Sequence, residues 1–243
     1  MPSTTDLIIK IAELDRFGYL LPGAASDIIQ AYENKEYEVF FFHMGSVGRF
    51  PAFLIMRGEL NDDQYFHCLG ICLTSECYAT DYPHLIRALL SERSPHAQRH
   101  LMDEKEQMHL EKLPPELIIY RGVCPNFVDG FSWTLSEEKA EFFANRHSDC
   151  GRDSGIFKGV CKKQDVIAYF SREDEIFIDP ENVQNVTPVK LTSLSRKDRK
   201  IRFDQSNKPS ENPRYFRYLK IREYLKSLNL LQQEKIISKS WQV

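Results

Sequence analysis

The spacing of apolar residues changes near Leu113, and this change constrains the fold more than any other feature of the chain. Before Leu113 the apolar residues recur at helical spacing, whereas after it they form short runs separated by polar or glycine-containing stretches. A helical front followed by a strand-rich region predicts an α+β fold. The 243 residues are enough for one large domain, or for a core domain with an extra lobe.

Residues 1–112 are predicted to form a mainly helical lobe. Helix signals occur in four segments, which are Leu7 to the stop at Pro22-Gly23, Ala25 to Asn34, Asn61 to Ser75, and Tyr82 to Glu92. Two further apolar runs, VFFFHM and AFLIM, flank the glycine-rich GSVGRFP, and their pattern does not distinguish helix from strand.

Residues 113–190 are predicted to form a strand-rich core. Five runs have strand character, and they are LIIY (117–120), FSWTLS (131–136), GIFKGVCK (155–162), DVIAYF (165–170) and EIFI (175–178). Ser136 is placed to cap a helix that continues through Asn145. Glu137 and Glu138 fall in the first turn of that helix, where negative charge is favourable.

Residues 191–243 form a basic C-terminal segment with a predicted terminal helix from Tyr215 to Ser238. Between Arg196 and Lys226 there are eleven Lys or Arg and four Asp or Glu, although the whole chain has a net charge of -3. Aromatic residues are interleaved with these charges. This pattern is typical of a nucleic-acid surface, but also of a solvated face or a dock for an acidic partner.

The six cysteines, at positions 68, 72, 77, 124, 150 and 161, include no C-x-x-C pair and predict free buried thiols. The group His67, Cys68, Cys72 and Cys77 raises the question of a zinc site. The apolar QYFHCLGICL around it favours core packing instead, so no metal is expected. The absence of a signal sequence and of an apolar run of about 20 residues favours a soluble cytoplasmic protein without membrane contact.

Three acids in a row, Glu173, Asp174 and Glu175, directly precede the apolar Ile176 to Ile178. If this stretch is extended, Glu173 and Glu175 project on one face and Asp174 on the other. Two carboxylates on one face repel, and the repulsion raises one of the two proton affinities. Such a coupled pair is suited to acid–base chemistry.

Three segments in this order, IIYRG (118–122), GFSWTLS (130–136) and REDEIFI (172–178), resemble the Arg, Ser-x-Ser/Thr and Glu-x-Glu motifs of the R-S-E class of NAD-dependent mono-ADP-ribosyltransferases. The resemblance covers roughly residues 113–183. It implies an ADP-ribosyltransferase-like split β-sheet core. It also implies that NAD is the substrate and that no metal is needed.

The resemblance implies catalytic roles for Glu175 and Glu173. Nicotinamide leaves from C1 of a ribose, so positive charge develops on the sugar as it does in glycoside cleavage. Glu175 would hold the ribose 2'-hydroxyl and stabilise that charge. Glu173 would orient the acceptor or take its proton, and a Glu at this position is typical of enzymes that modify arginine.

Five further residues are implied to bind NAD. Arg121, followed by Gly122, would hold the diphosphate or the adjacent ribose through its guanidinium fork. Ser132 would hydrogen-bond the catalytic Glu, and Thr134 keeps a hydroxyl at the third motif position. Trp133 departs from the small residue usual between them and is expected to face the core. The aromatic shelf for nicotinamide is expected from Phe143, with Phe142 and Phe157 as alternatives.

The expected function is transfer of ADP-ribose to a macromolecule, with a protein arginine as the default acceptor, by an intracellular toxin or an effector delivered into a target cell. Three alternatives stay open: ADP-ribosylation of RNA or DNA through the basic segment, hydrolysis of NAD by water, and a non-catalytic binding module. An antitoxin or other inhibitor is an expected partner, because such activity harms the cell that makes it.

Overall fold

The computed structural model describes residues 25–45, 48–74, 83–124, 128–149 and 153–192. These residues belong to two compact units. One unit contains the described residues up to 74 together with Arg93–Leu101, and the other contains residues 83–92 and the described residues from Met102 onwards. The predicted first helix, the basic stretch from Arg196 to Lys226 and the predicted terminal helix lie outside the described residues.

The described part of the first unit is helical. Its helices are α1 (Ala25–Glu33), α2 (Tyr37–Phe42), α3 (Arg49–Met56) and α4 (Asp62–Leu73), with 3-10 turns at Arg57–Glu59 and Pro95–Leu101. The predicted helices at 25–34 and 61–75 are confirmed. The two ambiguous apolar runs form α2 and α3, and most of their large side chains are buried in the core.

Helix α4 begins as its sequence predicts. The Asn61 side chain accepts a hydrogen bond from the Gln64 amide, and the Gln64 side chain accepts one from the Asn61 amide, which is a capping box. Cys68 and Cys72 are buried free thiols on this helix, as are Cys124 and Cys161 elsewhere. Among the residues that the structure describes, no group of three or more His, Cys, Asp or Glu is arranged to hold a metal ion.

The second unit contains helices α5 (Pro83–Ser91), α6 (Glu104–Lys112) and α7 (Glu137–Asp149) and a six-stranded sheet. The strands are β1 (Glu116–Val123), β2 (Ser132–Thr134), β3 (Ser154–Lys162), β4 (Val166–Phe170), β5 (Glu175–Ile178) and β6 (Gln184–Thr192). Their order is β4-β5-β2-β1-β3-β6, and all neighbours are antiparallel. The described residues therefore have an α+β fold, as predicted.

All five predicted strands are present, whereas β6 was not predicted. It contains Pro188, and its residues 184–191 are all exposed, so it lacks the apolar alternation that identifies a strand. It forms because β3 supplies backbone partners along its length. Helices α5 and α6 belong to the same unit as the sheet, although the sequence places them within the predicted helical lobe.

Helix α7 packs closely on one face of the sheet. Ala140 and Ala144 form a buried cluster with Ile156 of β3, and Tyr120 of β1 packs against it. Ser136 accepts a hydrogen bond from the Lys139 amide at 3.2 Å, so the predicted cap is confirmed. Within the described ranges, none of the helices has the length and apolar character needed to cross a membrane.

Candidate active site

Glu175 is the first residue of β5 and is held by the neighbouring strand β2. Its backbone pairs with Thr134, and the Ser132 side chain hydrogen-bonds its carboxyl group. Only 9% of Glu175 is exposed to solvent. The carboxyl group of Glu175 is thus buried at a strand end, beside the serine of the second motif.

The environment of Glu175 raises its pKa from 4.5 to about 7. Burial is the largest cause, because it disfavours the charged form. The charges of Glu173 and Glu106 also raise the pKa, whereas the Ser132 hydrogen bond and the charge of Arg121 lower it. Near neutral pH the Glu175 carboxyl group is therefore partly protonated and partly ionised, which suits a catalytic group.

Glu173 is not in an extended strand, so the predicted alternation of Glu173, Asp174 and Glu175 is wrong. Ser171–Glu173 form a 3-10 turn, and Asp174 has a left-handed backbone with φ 45° and ψ 42°. Asp tolerates this conformation better than most residues, because its short polar side chain can hydrogen-bond nearby groups. The turn still places Glu173 close enough for its charge to raise the pKa of Glu175.

Thr134 fixes this turn from strand β2. Its hydroxyl donates to the backbone carbonyl of Glu173 at 2.9 Å, and the next amide, that of Leu135, donates to the carbonyl of Asp174 at 2.9 Å. Thr134 is only 4% exposed. In this structure the hydroxyl at the third motif position supports the residues that precede Glu175.

Arg121 lies on β1, is 7% exposed, and donates a hydrogen bond from Nη1 to the backbone carbonyl of Ser132. A Cβ at Gly130 would overlap Nη2 of Arg121 and lie 2.7 Å from its Cζ, so a glycine at this position gives the guanidinium its space. The side chain of Arg121 is therefore packed against the segment that enters β2.

Arg121 and Glu175 do not leave the sheet on the same face. Thr134 pairs with both Tyr120 and Glu175, so these three side chains share a face and Arg121 begins on the other. The Arg121 guanidinium nevertheless reaches the β2 backbone, and its charge lowers the pKa of Glu175. The two groups are thus in electrostatic contact across the short strand β2.

Gly122 has a packing role. A Cβ at this position would overlap the backbone carbonyl of Ala140 and lie 2.7 Å from the amide nitrogen of Ala144, both on α7. Only a residue without a side chain allows the helix to approach β1 this closely. The implied contact of Gly122 with NAD stays a prediction.

The candidate aromatic residues occupy different environments. Phe157 is buried and pairs with Arg121 across β1 and β3, so the two side chains share a face. Phe143 is half-buried on α7, and its ring centroid lies 5.6 Å from that of Phe142. Phe142 is 60% exposed. Trp133 is buried and donates to the Gly130 carbonyl at 2.9 Å, so its predicted core position is confirmed.

Glu106, Lys139 and Tyr169 contribute to the site but were not identified from sequence. Glu106 of α6 accepts hydrogen bonds from the amide and hydroxyl of Ser171 at 2.8 and 3.0 Å. Asp174 accepts from Lys139 Nζ at 2.6 Å and from the Tyr169 hydroxyl at 2.9 Å. Glu106 had one sequence signal, because it follows Asp103 at capping-box spacing, but that signal predicts only a helix start.

Comparisons with known proteins do not identify a relative. A scan against protein-family models, a search of curated proteins and a search of solved structures each found no match to this chain. The functional interpretation therefore depends on the motifs, on the α+β fold and on the groups around Glu175.

Proposed function

We propose that this protein cleaves NAD between nicotinamide and ribose and transfers the ADP-ribose to a macromolecule. The proposal includes a split-sheet fold like that of ADP-ribosyltransferases, with which a six-stranded antiparallel sheet and packed helices are compatible. The observation that carries the proposal is the environment of Glu175. It is buried, hydrogen-bonded to Ser132, and within electrostatic reach of Glu173 and Arg121.

In the first step, the bond between ribose C1 and the nicotinamide nitrogen breaks, and its electron pair leaves with neutral nicotinamide. Positive charge then develops on the ribose. The Glu175 carboxylate, oriented by Ser132, stabilises that charge, an electrostatic effect that can be worth about 2 to 4 kcal/mol. Because this step needs the ionised carboxylate, nicotinamide release should rise with pH through about 7.

In the second step, a lone pair of the acceptor forms the new bond to C1, and the acceptor proton passes to Glu173. Both Glu173 and Glu106 raise the pKa of Glu175 through their charge, so negative charge is concentrated here. A cationic acceptor such as the guanidinium of arginine relieves this repulsion. This charge favours a protein arginine as the acceptor.

Arg121 supplies the positive charge for the anionic part of NAD. A guanidinium can donate parallel hydrogen bonds to a phosphate, which lysine does not reproduce. Arg121 donates to the Ser132 carbonyl from Nη1, and its guanidinium carries five N–H groups in all. Gly122 and one of Phe143, Phe142 and Phe157 complete the proposed NAD site.

Nucleic acid is the second candidate acceptor, because eleven Lys or Arg lie between Arg196 and Lys226 against four Asp or Glu. Incubation with NAD labelled in the adenine, in the presence of lysate protein or purified RNA, separates the candidates. Label on protein that is stable to nuclease supports transfer to a protein side chain, whereas label on RNA supports the second acceptor. Free ADP-ribose alone would mean that water is the acceptor and that the protein is a NAD glycohydrolase.

The proposed biological setting is that of an intracellular toxin or effector that acts in the cytoplasm. Modification of essential macromolecules would harm the producing cell, so an antitoxin or another inhibitor is a proposed partner. Expression of the protein in a bacterial host tests this setting. Growth arrest that depends on Glu175 supports it, and unaffected growth with active soluble protein would count against it.

A further inference from the structure

The turn between β4 and β5 is held by side chains from several elements. This turn, residues 171–174, carries Glu173 and leads directly into Glu175. Its first residue, Ser171, is bound by Glu106 of α6. The carbonyls of Glu173 and Asp174 are bound from β2 and the segment that follows it. Such a turn has little freedom to move independently of the sheet.

Asp174 is the most strongly anchored residue of the turn. Its carboxylate accepts from Lys139 Nζ of α7 at 2.6 Å and from the Tyr169 hydroxyl of β4 at 2.9 Å. The hydrogen bond from Lys139 is the main cause that lowers the pKa of Asp174, and the bond from Tyr169 lowers it further. Asp174 is therefore ionised at neutral pH and binds both donors in that state.

Tyr169 is itself oriented by α6. Its ring stacks on His109 with the ring centroids 4.3 Å apart and the planes 14° from parallel. Burial, and then the hydrogen bond to Asp174, raise the pKa of Tyr169 to about 12, so its hydroxyl remains a donor at neutral pH. The contact with Asp174 is thus made by a side chain that has a fixed position.

These contacts also compensate for an unfavourable backbone. Asp174 has positive φ, a conformation that is unfavourable for a residue with a side chain, although less so for Asp than for most. This left-handed residue connects the 3-10 turn that contains Glu173 to the strand that begins at Glu175. The distance between the two glutamates therefore depends on Asp174.

We propose that Asp174, held by Lys139 and Tyr169, is a positioning residue that keeps Glu173 beside Glu175 for the acceptor step. This inference rests on the proposed transferase function. Lys139 and Tyr169 together form a clamp on the Asp174 carboxylate. When this clamp is lost, Glu175 keeps its own contacts, which are the backbone pairing with Thr134 and the hydrogen bond from Ser132. Cleavage of NAD depends on Glu175, whereas capture of the acceptor depends on Glu173, so the clamp acts on the second step.

Two conservative variants test this role by the partition of ADP-ribose between acceptor and water. Tyr169→Phe removes one hydroxyl, and Lys139→Met removes the cation while keeping most of the side-chain volume. Misplacement of a catalytic group by about 1 Å can cost about a hundredfold, so the ratio of transfer to hydrolysis should fall roughly tenfold to a hundredfold. The KM for NAD should stay within about twofold, since neither side chain is in the proposed NAD site.

Lys190→Met is the matched control. Lys190 also pairs with a carboxylate of α7, that of Glu141, but it lies on β6 and does not contact the turn. This variant should keep the wild-type ratio of transfer to hydrolysis. A ratio that is unchanged in both clamp variants, or that falls equally in Lys190→Met, would overturn the proposal.

A second measurement is independent of activity. The charges that act on Glu175 are those of Glu173, Arg121 and Glu106, and Tyr169→Phe removes none of them. NMR titration of carboxyl carbons in protein labelled with 13C-glutamate should therefore show a lower pKa for Glu175 in this variant, because a released turn takes Glu173 away. An unchanged pKa of Glu175 would contradict the role of the clamp.

If wild-type protein does not cleave NAD, the proposed function fails, and the titration still decides whether Asp174 positions Glu173.

Discussion

Replacement of Glu175 by Gln is expected to stabilise the protein at alkaline pH, although it removes the proposed catalytic group. The folded-state pKa of Glu175 is about 7 and its ordinary value is 4.5, so the folded protein binds this proton more tightly than the unfolded chain. Between these pH values the unfolded state loses the proton first, and the free energy of unfolding falls as pH rises. At about 1.36 kcal/mol per pH unit the loss amounts to roughly 3 kcal/mol.

Gln cannot ionise, so the variant escapes this loss. At pH 5 wild type and Glu175→Gln should differ little, because the buried carboxyl is protonated and an amide has a similar shape. At pH 8 the variant should gain roughly 2 to 3 kcal/mol in free energy of unfolding over wild type. Most of that gain should appear between pH 5 and pH 7.5.

Urea denaturation at pH 5, 6.5 and 8, followed by tryptophan fluorescence, measures the difference. Trp133 is buried in the same unit as Glu175, so its emission reports the unfolding of this unit. Glu111→Gln, at an exposed position of α6, is the control and should show no such pH dependence. If wild type and Glu175→Gln differ in free energy of unfolding by the same amount at every pH, the conclusion that burial and nearby negative charge raise the pKa of Glu175 is refuted.

Three other substitutions, one of them a control, test the packing and the electrostatics of the site. Gly122→Ala should cost about 3 kcal/mol in urea denaturation, because its Cβ would overlap the Ala140 carbonyl on a helix backbone. Gly155→Ala should cost less, since its Cβ would meet the end of an exposed leucine at 2.6 Å; equal costs would contradict this packing. Ser132→Ala removes a hydrogen bond that lowers the pKa of Glu175, so the pH midpoint of nicotinamide release should rise. A lower or unchanged midpoint would contradict that role for the serine.

The strands of the core were predictable because their signals are local. Each of the five predicted runs is a short apolar segment bounded by turn residues, and the burial of Ile176, Phe177 and Ile178 follows from their apolar character. Strand β6 was not predictable in this way. Its residues are exposed and include Pro188, and it is a strand only because β3, far earlier in the chain, pairs with it.

The proximity of the motif residues could be predicted from the sequence, but their geometry could not. The order of the motifs led to Arg121, Ser132 and Glu175, and the structure places these residues within electrostatic reach of one another. The left-handed conformation of Asp174 and the hydrogen bonds from Ser171 to Glu106 were not predictable. They depend on residues that are up to 65 positions away in the sequence. No spacing rule reports such contacts, which is why Glu173 was assigned to a strand.

Release of nicotinamide from NAD, followed by proton NMR at pH 8, is the most direct test of the central claim that Glu175 is the catalytic carboxylate of a NAD-cleaving site. Wild-type protein should release nicotinamide, and the matched exposed variant Glu111→Gln should do so at the same rate. Glu175→Gln, although folded and more stable at this pH, should be about a hundredfold to a thousandfold slower. No release by concentrated wild-type protein, or equal release by all three proteins, would contradict the claim.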